Sequence, residues 1–173
     1  MRLVVGIFCL IVSWSAHSKP VLEIFFDGLE RHEPALVSNA AARCAALFTV
    51  QAAVLTRDAP DEEMIEQFQE AASNLQTGML ATNGIIKMKR GIEVDQEMKE
   101  TLLQEVHQQT MATVEFYTDR MRANQLNTGE MWGQDELIKA DMEFCPMLTR
   151  MITSDAWGNT LMTDDWSFWD ENL

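Results

Sequence analysis

Apolar side chains recur every three or four residues along most of the chain after residue 33, which is the spacing of one face of an α-helix. The first predicted helix begins at Pro34, because proline suits a first-turn position, and it ends at about Asp58. Pro60 and Asp61 then mark a break and an N-cap for the next helix. The stripe of the first helix is Val37, Ala41, Cys44, Phe48, Gln51 and Leu55.

The second predicted helix follows Asp61 and carries one apolar face. Gly78 and Gly84 lower the helix propensity of its second half, so the pattern leaves two alternatives. Either the helix stops near Gln76, or it bends and continues to Met88. The residues of the apolar face are Met64, Ile65, Phe68, Ala72, Leu75 and Met79.

Two further helices are predicted, from about Val94 to Asn124 and over 134–153. In the fourth, either Asp141 or Met142 belongs to the stripe, and Pro146 removes one backbone hydrogen bond and is expected to kink the helix. The apolar lead-in over 19–33 fits a strand or a helical turn equally well. Four amphipathic helices with short connections predict an all-α fold, an antiparallel four-helix bundle.

The first 18 residues have the pattern of a secretory signal. Arg2 supplies a positive start, 3–12 is an apolar run, and Ala16 and Ser18 are the small residues of a cleavage site. The alternative is an uncleaved N-terminal anchor. We therefore expect three parts: a signal peptide over 1–18, a helical bundle over 19–154 and an acidic, Trp-rich tail over 155–173. An exported protein, periplasmic or extracellular, is the predicted product.

Charge excludes several classes of partner. The 173 residues contain 13 Lys and Arg against 27 Asp and Glu, a net charge of −14, or −15 once 1–18 are removed. Nucleic acid and anionic membrane surfaces are disfavoured, because both require clustered basic residues. A protein partner with a basic or apolar surface fits better. The acidity is concentrated in the second half, since 19–90 has a net charge of −3 and 91–173 a net charge of −12.

Two cysteines remain after removal of the signal, Cys44 and Cys145, and both lie on the apolar stripe of a helix. In an up-down-up-down bundle the first and fourth helices are neighbours, and these two positions fall at similar heights. The sequence therefore predicts a disulfide between helices 1 and 4, as expected in an oxidising compartment. Two buried free thiols are the alternative, and a redox-active pair is disfavoured because Cys-x-x-Cys spacing is absent.

Motifs for chemistry are lacking in the sequence. It contains no zinc-protease, di-iron, haem, nucleophile-elbow or phosphate-loop pattern, so neither a catalytic residue nor a metal or cofactor is assigned. Enzymatic activity stays open, with a non-enzymatic role favoured. The alternative is a small-ligand carrier or enzyme with a site between the helices, involving Glu105, His107 and Tyr117.

Two segments are candidates for binding. The basic cluster of Lys87, Lys89 and Arg90 either binds an anion or complements a helix dipole. The tail either packs on the bundle or recognises a partner, since exposed tryptophan is costly. Its candidate residues are Trp157, Asp164, Asp165, Trp166, Phe168 and Trp169. The sequence thus predicts a small exported helical protein that binds a partner or has a structural role.

Overall fold

The computed structural model describes residues 19–58 and 61–172, and the predicted signal peptide over 1–18 lies outside them. Seven α-helices and no strand occur in these two ranges. They are α1 (Val21–Glu30), α2 (Pro34–Asp58), α3 (Glu62–Lys89), α4 (Gln96–Thr128), α5 (Glu136–Ile152), α6 (Asp155–Thr163) and α7 (Ser167–Asn172).

The all-α prediction is confirmed, whereas a four-helix bundle is not. The four predicted helices correspond to α2 through α5, but the lead-in forms a further helix, α1, and the tail forms α6 and α7. Of the two alternatives for the second helix, the longer one is correct, because α3 runs to Lys89. Gly78 lies inside it where Ile152 packs so closely that a Cβ would approach to 3.0 Å, which explains a glycine in mid-helix.

Helix α2 lies at the centre of the molecule and packs against α1, α3, α4 and α5. Every residue from Ala40 to Phe48 is buried, so this part of the helix has no solvent-facing side. A helix that is buried all round is expected to be apolar on every side, and alanine at five of these positions lets its neighbours approach closely. Arg43 is the one charged residue in this stretch, and a buried charge requires a partner. The sequence pattern therefore encodes a central helix, not one edge of a square bundle.

The disulfide is confirmed between Cys44 and Cys145, whose Cα atoms are 5.3 Å apart. Both cysteines are fully buried. The prediction that it joins helices 1 and 4 is wrong. The helix α1 precedes the predicted first helix, so the predicted first and fourth helices are the second and fifth of the structure. The bond links α2 to α5.

Carboxylate caps set the starts of three long helices. Asp61, Asp95 and Asp135 each accept hydrogen bonds from backbone N–H groups in the first turn of α3, α4 and α5. At the end of α4, Gly129 adopts a left-handed conformation with φ of 82°, which glycine allows at low cost. These caps place the loop between α4 and α5.

Among the described helices, none combines the length and the apolarity needed to cross a membrane.

Candidate functional site

The tryptophans of the tail are buried within the fold. Trp157, Trp166 and Trp169 are 3%, 7% and 5% exposed, and the ring of Trp157 meets those of the other two edge-on at 5.9 and 6.0 Å. The indole N–H of Trp157 donates to Thr82 on α3, and that of Trp169 donates to Thr160. The tail therefore packs on the helices, and each buried indole in these two bonds has its polar atom satisfied.

The other predicted tail residues lie at the surface. Phe168 is 49% exposed, and Asp164 forms an ion pair with Lys89. The backbone N–H of Ser167 donates to Asp165. Hydrogen bonding from the Ser167 side chain, and then from this backbone N–H, lowers the pKa of the Asp165 carboxyl. Whether this surface binds a partner stays a prediction.

The basic cluster lies at the end of α3, and its charges are mixed with carboxylates. Lys87 is 3.7 Å from Glu105, and Lys89 is paired with Asp164. Lys89 and Arg90 line a depression of about 460 Å³ together with His32, Glu33, Pro34, Ala35, Ile86 and Asp164. Binding of an anion here stays a prediction, and the acidic neighbours weigh against a strongly charged one.

The structure does not bring Glu105, His107 and Tyr117 together. Glu105 and His107 are exposed on α4, while Tyr117 is fully buried about three turns further along the same helix. The three residues therefore share no pocket between helices.

A buried polar cluster that the sequence analysis missed surrounds the tyrosine. Asp141 on α5 is fully buried and accepts from the guanidinium of Arg43 at 2.6 Å, from the Tyr117 hydroxyl at 2.5 Å and from the backbone N–H of Val21 at 2.6 Å. Arg43 also donates to the backbone carbonyl of Lys19. One ion pair thus connects α2, α4, α5 and the segment that begins α1.

Burial dominates the electrostatics of this cluster. It raises the pKa of the Tyr117 phenol well above the ordinary value of 10, and it raises the pKa of the Asp141 carboxyl. Arg43, Tyr117 and the Val21 N–H act in the opposite direction on Asp141, because each donates to its carboxylate. The sequence contains a signal for this cluster, because each of two apolar helices has a charged residue near its cysteine. Arg43 is next to Cys44, and Asp141 is one turn before Cys145.

The buried position of this cluster favours a role in stabilising the fold over a role in catalysis. Tyr117 and Asp141 are 0% exposed and Arg43 is 4% exposed, so a substrate has no access to their polar atoms. The side chain of Arg43 also packs over the ring of Phe116 at 5.6 Å. Among the described residues, no group of three or more His, Cys, Asp or Glu side chains could hold a metal ion.

An open groove lies between the second half of α2 and the second half of α4, and we call it the α2–α4 groove. It consists of three adjoining depressions, with volumes of about 450, 120 and 200 Å³, that all share Val54. Its walls and its closed end are formed by Thr49, Val50, Ala53, Val54, Leu55, Arg57, Asp58, Val114, Thr118, Met121, Arg122, Gln125, Gly129, Glu130, Met131, Trp132 and Gly133.

Both walls of the groove have helical spacing. On α4, residues 114, 118, 121 and 125 follow one face, and on α2 Val50 and Val54 are one turn apart. The loop after α4 closes one end, where the Asn124 amide donates to the carbonyls of Glu130 and Met131. These bonds hold Trp132, which is partly exposed, at the end of the groove.

The fold and these features define a disulfide-linked, all-helical protein with an open apolar groove and a buried ion pair. Comparisons with known protein families, with curated proteins and with solved structures find no match to this chain.

Proposed function

We propose that this chain is an exported, non-enzymatic binding protein that docks an apolar segment of a protein partner in the α2–α4 groove. The observation that carries the proposal is the groove itself. It is apolar, lies between two helices and is left uncovered by the remaining described elements. The groove is a surface on which a partner can remove apolar side chains from water, which is favourable.

The groove supports a protein partner better than a small ligand. Sites for small molecules enclose most of the ligand surface, whereas this groove is open along its length. Its partly exposed side chains Met131 and Trp132 are of types enriched at protein interfaces. A small-ligand carrier or an enzyme is therefore the weaker alternative.

Export is supported by two features of different kinds. The signal-like pattern over 1–18 comes from the sequence, and the Cys44–Cys145 bond belongs to a class of bond that persists mainly in oxidising compartments. The proposal therefore places the partner in the periplasm or outside the cell.

The groove can be tested by photocrosslinking in the native source. A photoreactive amino acid at Ala53, which lines the groove and is exposed, should crosslink to one discrete partner protein. The matched control is the same group at Leu103, which is 54% exposed and lies about 16 Å before the groove on α4. Equal crosslinking at both positions, or none at Ala53, would contradict the proposed function.

A further inference from the structure

The chemistry of the groove also restricts what can occupy it, if the proposed function holds. Its two long walls are α-helices, whose backbone N–H and C=O groups are already bonded within the helix, and only its closed end is a loop. An extended peptide would find no free backbone edge to pair with, and its own backbone groups would lose hydrogen bonds to water on burial. A helix satisfies its backbone internally, so it is the occupant that such walls favour.

The length of the groove agrees with a short helix. From Val114 to Gln125 the α4 wall extends over about 17 Å, which corresponds to three turns of an opposing helix. A helix of this length presents three or four apolar side chains on one face.

The charges around the groove favour a basic occupant. Arg57 is held by Asp58 at 2.6 Å and Arg122 by Asp119 at 3.2 Å, so each arginine is balanced by a carboxylate of its own helix region. At the closed end, the exposed Glu130 carboxylate has no basic partner within the described ranges.

Trp132 strengthens this preference at the same end. A Lys or Arg side chain placed there could pack on the indole face and approach Glu130, which combines a cation–π contact with an ion pair. The net charge of −14 also attracts cationic partners during encounter.

We propose that the occupant of the α2–α4 groove is a cationic amphipathic helix of a partner protein, about three turns long, with a Lys or Arg at the Trp132 and Glu130 end. This inference rests on the proposed function and adds the chemical class of the partner. The apolar face supplies the buried contact, and the cation sets the direction in which the helix lies.

The test uses synthetic peptides without tryptophan and the protein expressed from the full chain and purified in its oxidised form. The first peptide has a leucine face and lysines elsewhere, the second replaces lysine by glutamate, and the third is a shuffled version of the first without an apolar face. Titration calorimetry measures affinity. The first peptide should bind about tenfold or more tightly than the other two, because only it matches both the groove and its charge.

Matched variants separate docking from diffuse attraction. Val54→Lys should abolish binding of the lysine peptide, whereas Leu103→Lys makes the same charge change outside the groove and should alter affinity less than about twofold. Glu130→Gln should weaken binding of this peptide about threefold to tenfold. Fluorescence of Trp132, identified with Trp132→Phe, should change on binding.

Each contrary result has a defined meaning. Equal affinity for the lysine and glutamate peptides overturns the charge preference but leaves the groove as a docking site. Equal weakening by Val54→Lys and Leu103→Lys shows diffuse electrostatic attraction and overturns the inference. If the lysine peptide does not bind at all, the inference is wrong, and crosslinking at Ala53 decides the proposed function independently.

Discussion

The two halves of α2 are built from similar residues but have opposite surroundings. From Ala40 to Phe48, which we call the closed half, the helix is covered by neighbouring elements, and a disulfide and an ion pair both join this half to α5. From Thr49 to Asp58, which we call the open half, the same helix has partly exposed apolar side chains that line the α2–α4 groove. Both halves contain adjacent alanines, at 40–42 and 45–46 in the closed half and at 52–53 in the other.

The difference teaches that composition does not decide whether a helix face is core or binding surface. Ala46 is fully buried, and Ala53, two turns further along, is exposed. What differs is where the other helices lie. The covalent and ionic links hold the closed half rigidly, so the open half is presented on a fixed support.

The largest expected effect is on the closed half, through its disulfide. Removing the bond with Cys44→Ala and Cys145→Ala together should lower the free energy of unfolding by about 4–5 kcal/mol, because the bond closes a loop of about 100 residues. Urea unfolding of the oxidised and variant proteins measures this loss. Reduction should destabilise the natural chain and leave the double variant unchanged. A natural chain that is equally stable when reduced would show that other contacts alone hold the closed half.

The second-largest expected effect on stability comes from breaking the ion pair between Arg43 and Asp141. Asp141→Ala leaves Arg43 buried without its carboxylate, so we expect a loss of about 3–5 kcal/mol in the free energy of unfolding. The control removes both charges with Arg43→Met and Asp141→Leu, which should cost less than Asp141→Ala because no charge is left buried alone, although the Tyr117 hydroxyl and the Val21 N–H still lose their acceptor. Equal destabilisation by the single and the double variant would mean that shape, not charge, dominates at this position.

A matched pair of substitutions compares the two halves directly. Ala46→Leu should destabilise by about 1–3 kcal/mol, because the closed half has no space for a larger side chain. Ala53→Leu should change stability by less than about 0.5 kcal/mol, because this position is exposed. Thermal unfolding followed by circular dichroism measures both. Similar losses for the two variants would remove the distinction between the halves.

The smallest expected effect on stability comes from the ionisation of Tyr117, the sole tyrosine of the chain, and it arises only at alkaline pH. Burial raises the pKa of its phenol above 10, so the folded state keeps a proton that the unfolded chain loses above about pH 10. The stability from this group is therefore complete below about pH 10 and decreases as the pH rises further.

Tyrosinate absorbance measures this ionisation without interference from another tyrosine. We expect the signal to appear only together with the loss of helical circular dichroism, and Tyr117→Phe to show no such signal. Ionisation near pH 10 while the helices persist would mean that Tyr117 is accessible to water, contrary to its burial.

Much of the helical content followed from local patterns. The start of α2 at Pro34 and the cap at Asp61 are local features, so a single sequence contains their signals. The disulfide could also be predicted, because Cys44 and Cys145 lie on apolar stripes at similar heights.

Features that depend on several helices at once could not be read in this way. The sequence left open whether 19–33 is a strand or a helical turn, and whether the tail packs or stays free, because both depend on an available surface. Asp141 binds Arg43 and Tyr117 only because α2, α4 and α5 converge. The spacing of residues within one helix cannot predict that these three helices converge.

The sequence by itself determined that this protein is helical, acidic and capable of one disulfide, because helix periodicity, charge and cysteine count are properties of neighbouring or counted residues. Only the tertiary structure decided that α2 is central, that the tail tryptophans are buried and that a groove stays open beside Val54. Burial and exposure are properties of how helices pack against one another, and the same apolar side chain can serve as core or as binding surface depending on which helix covers it.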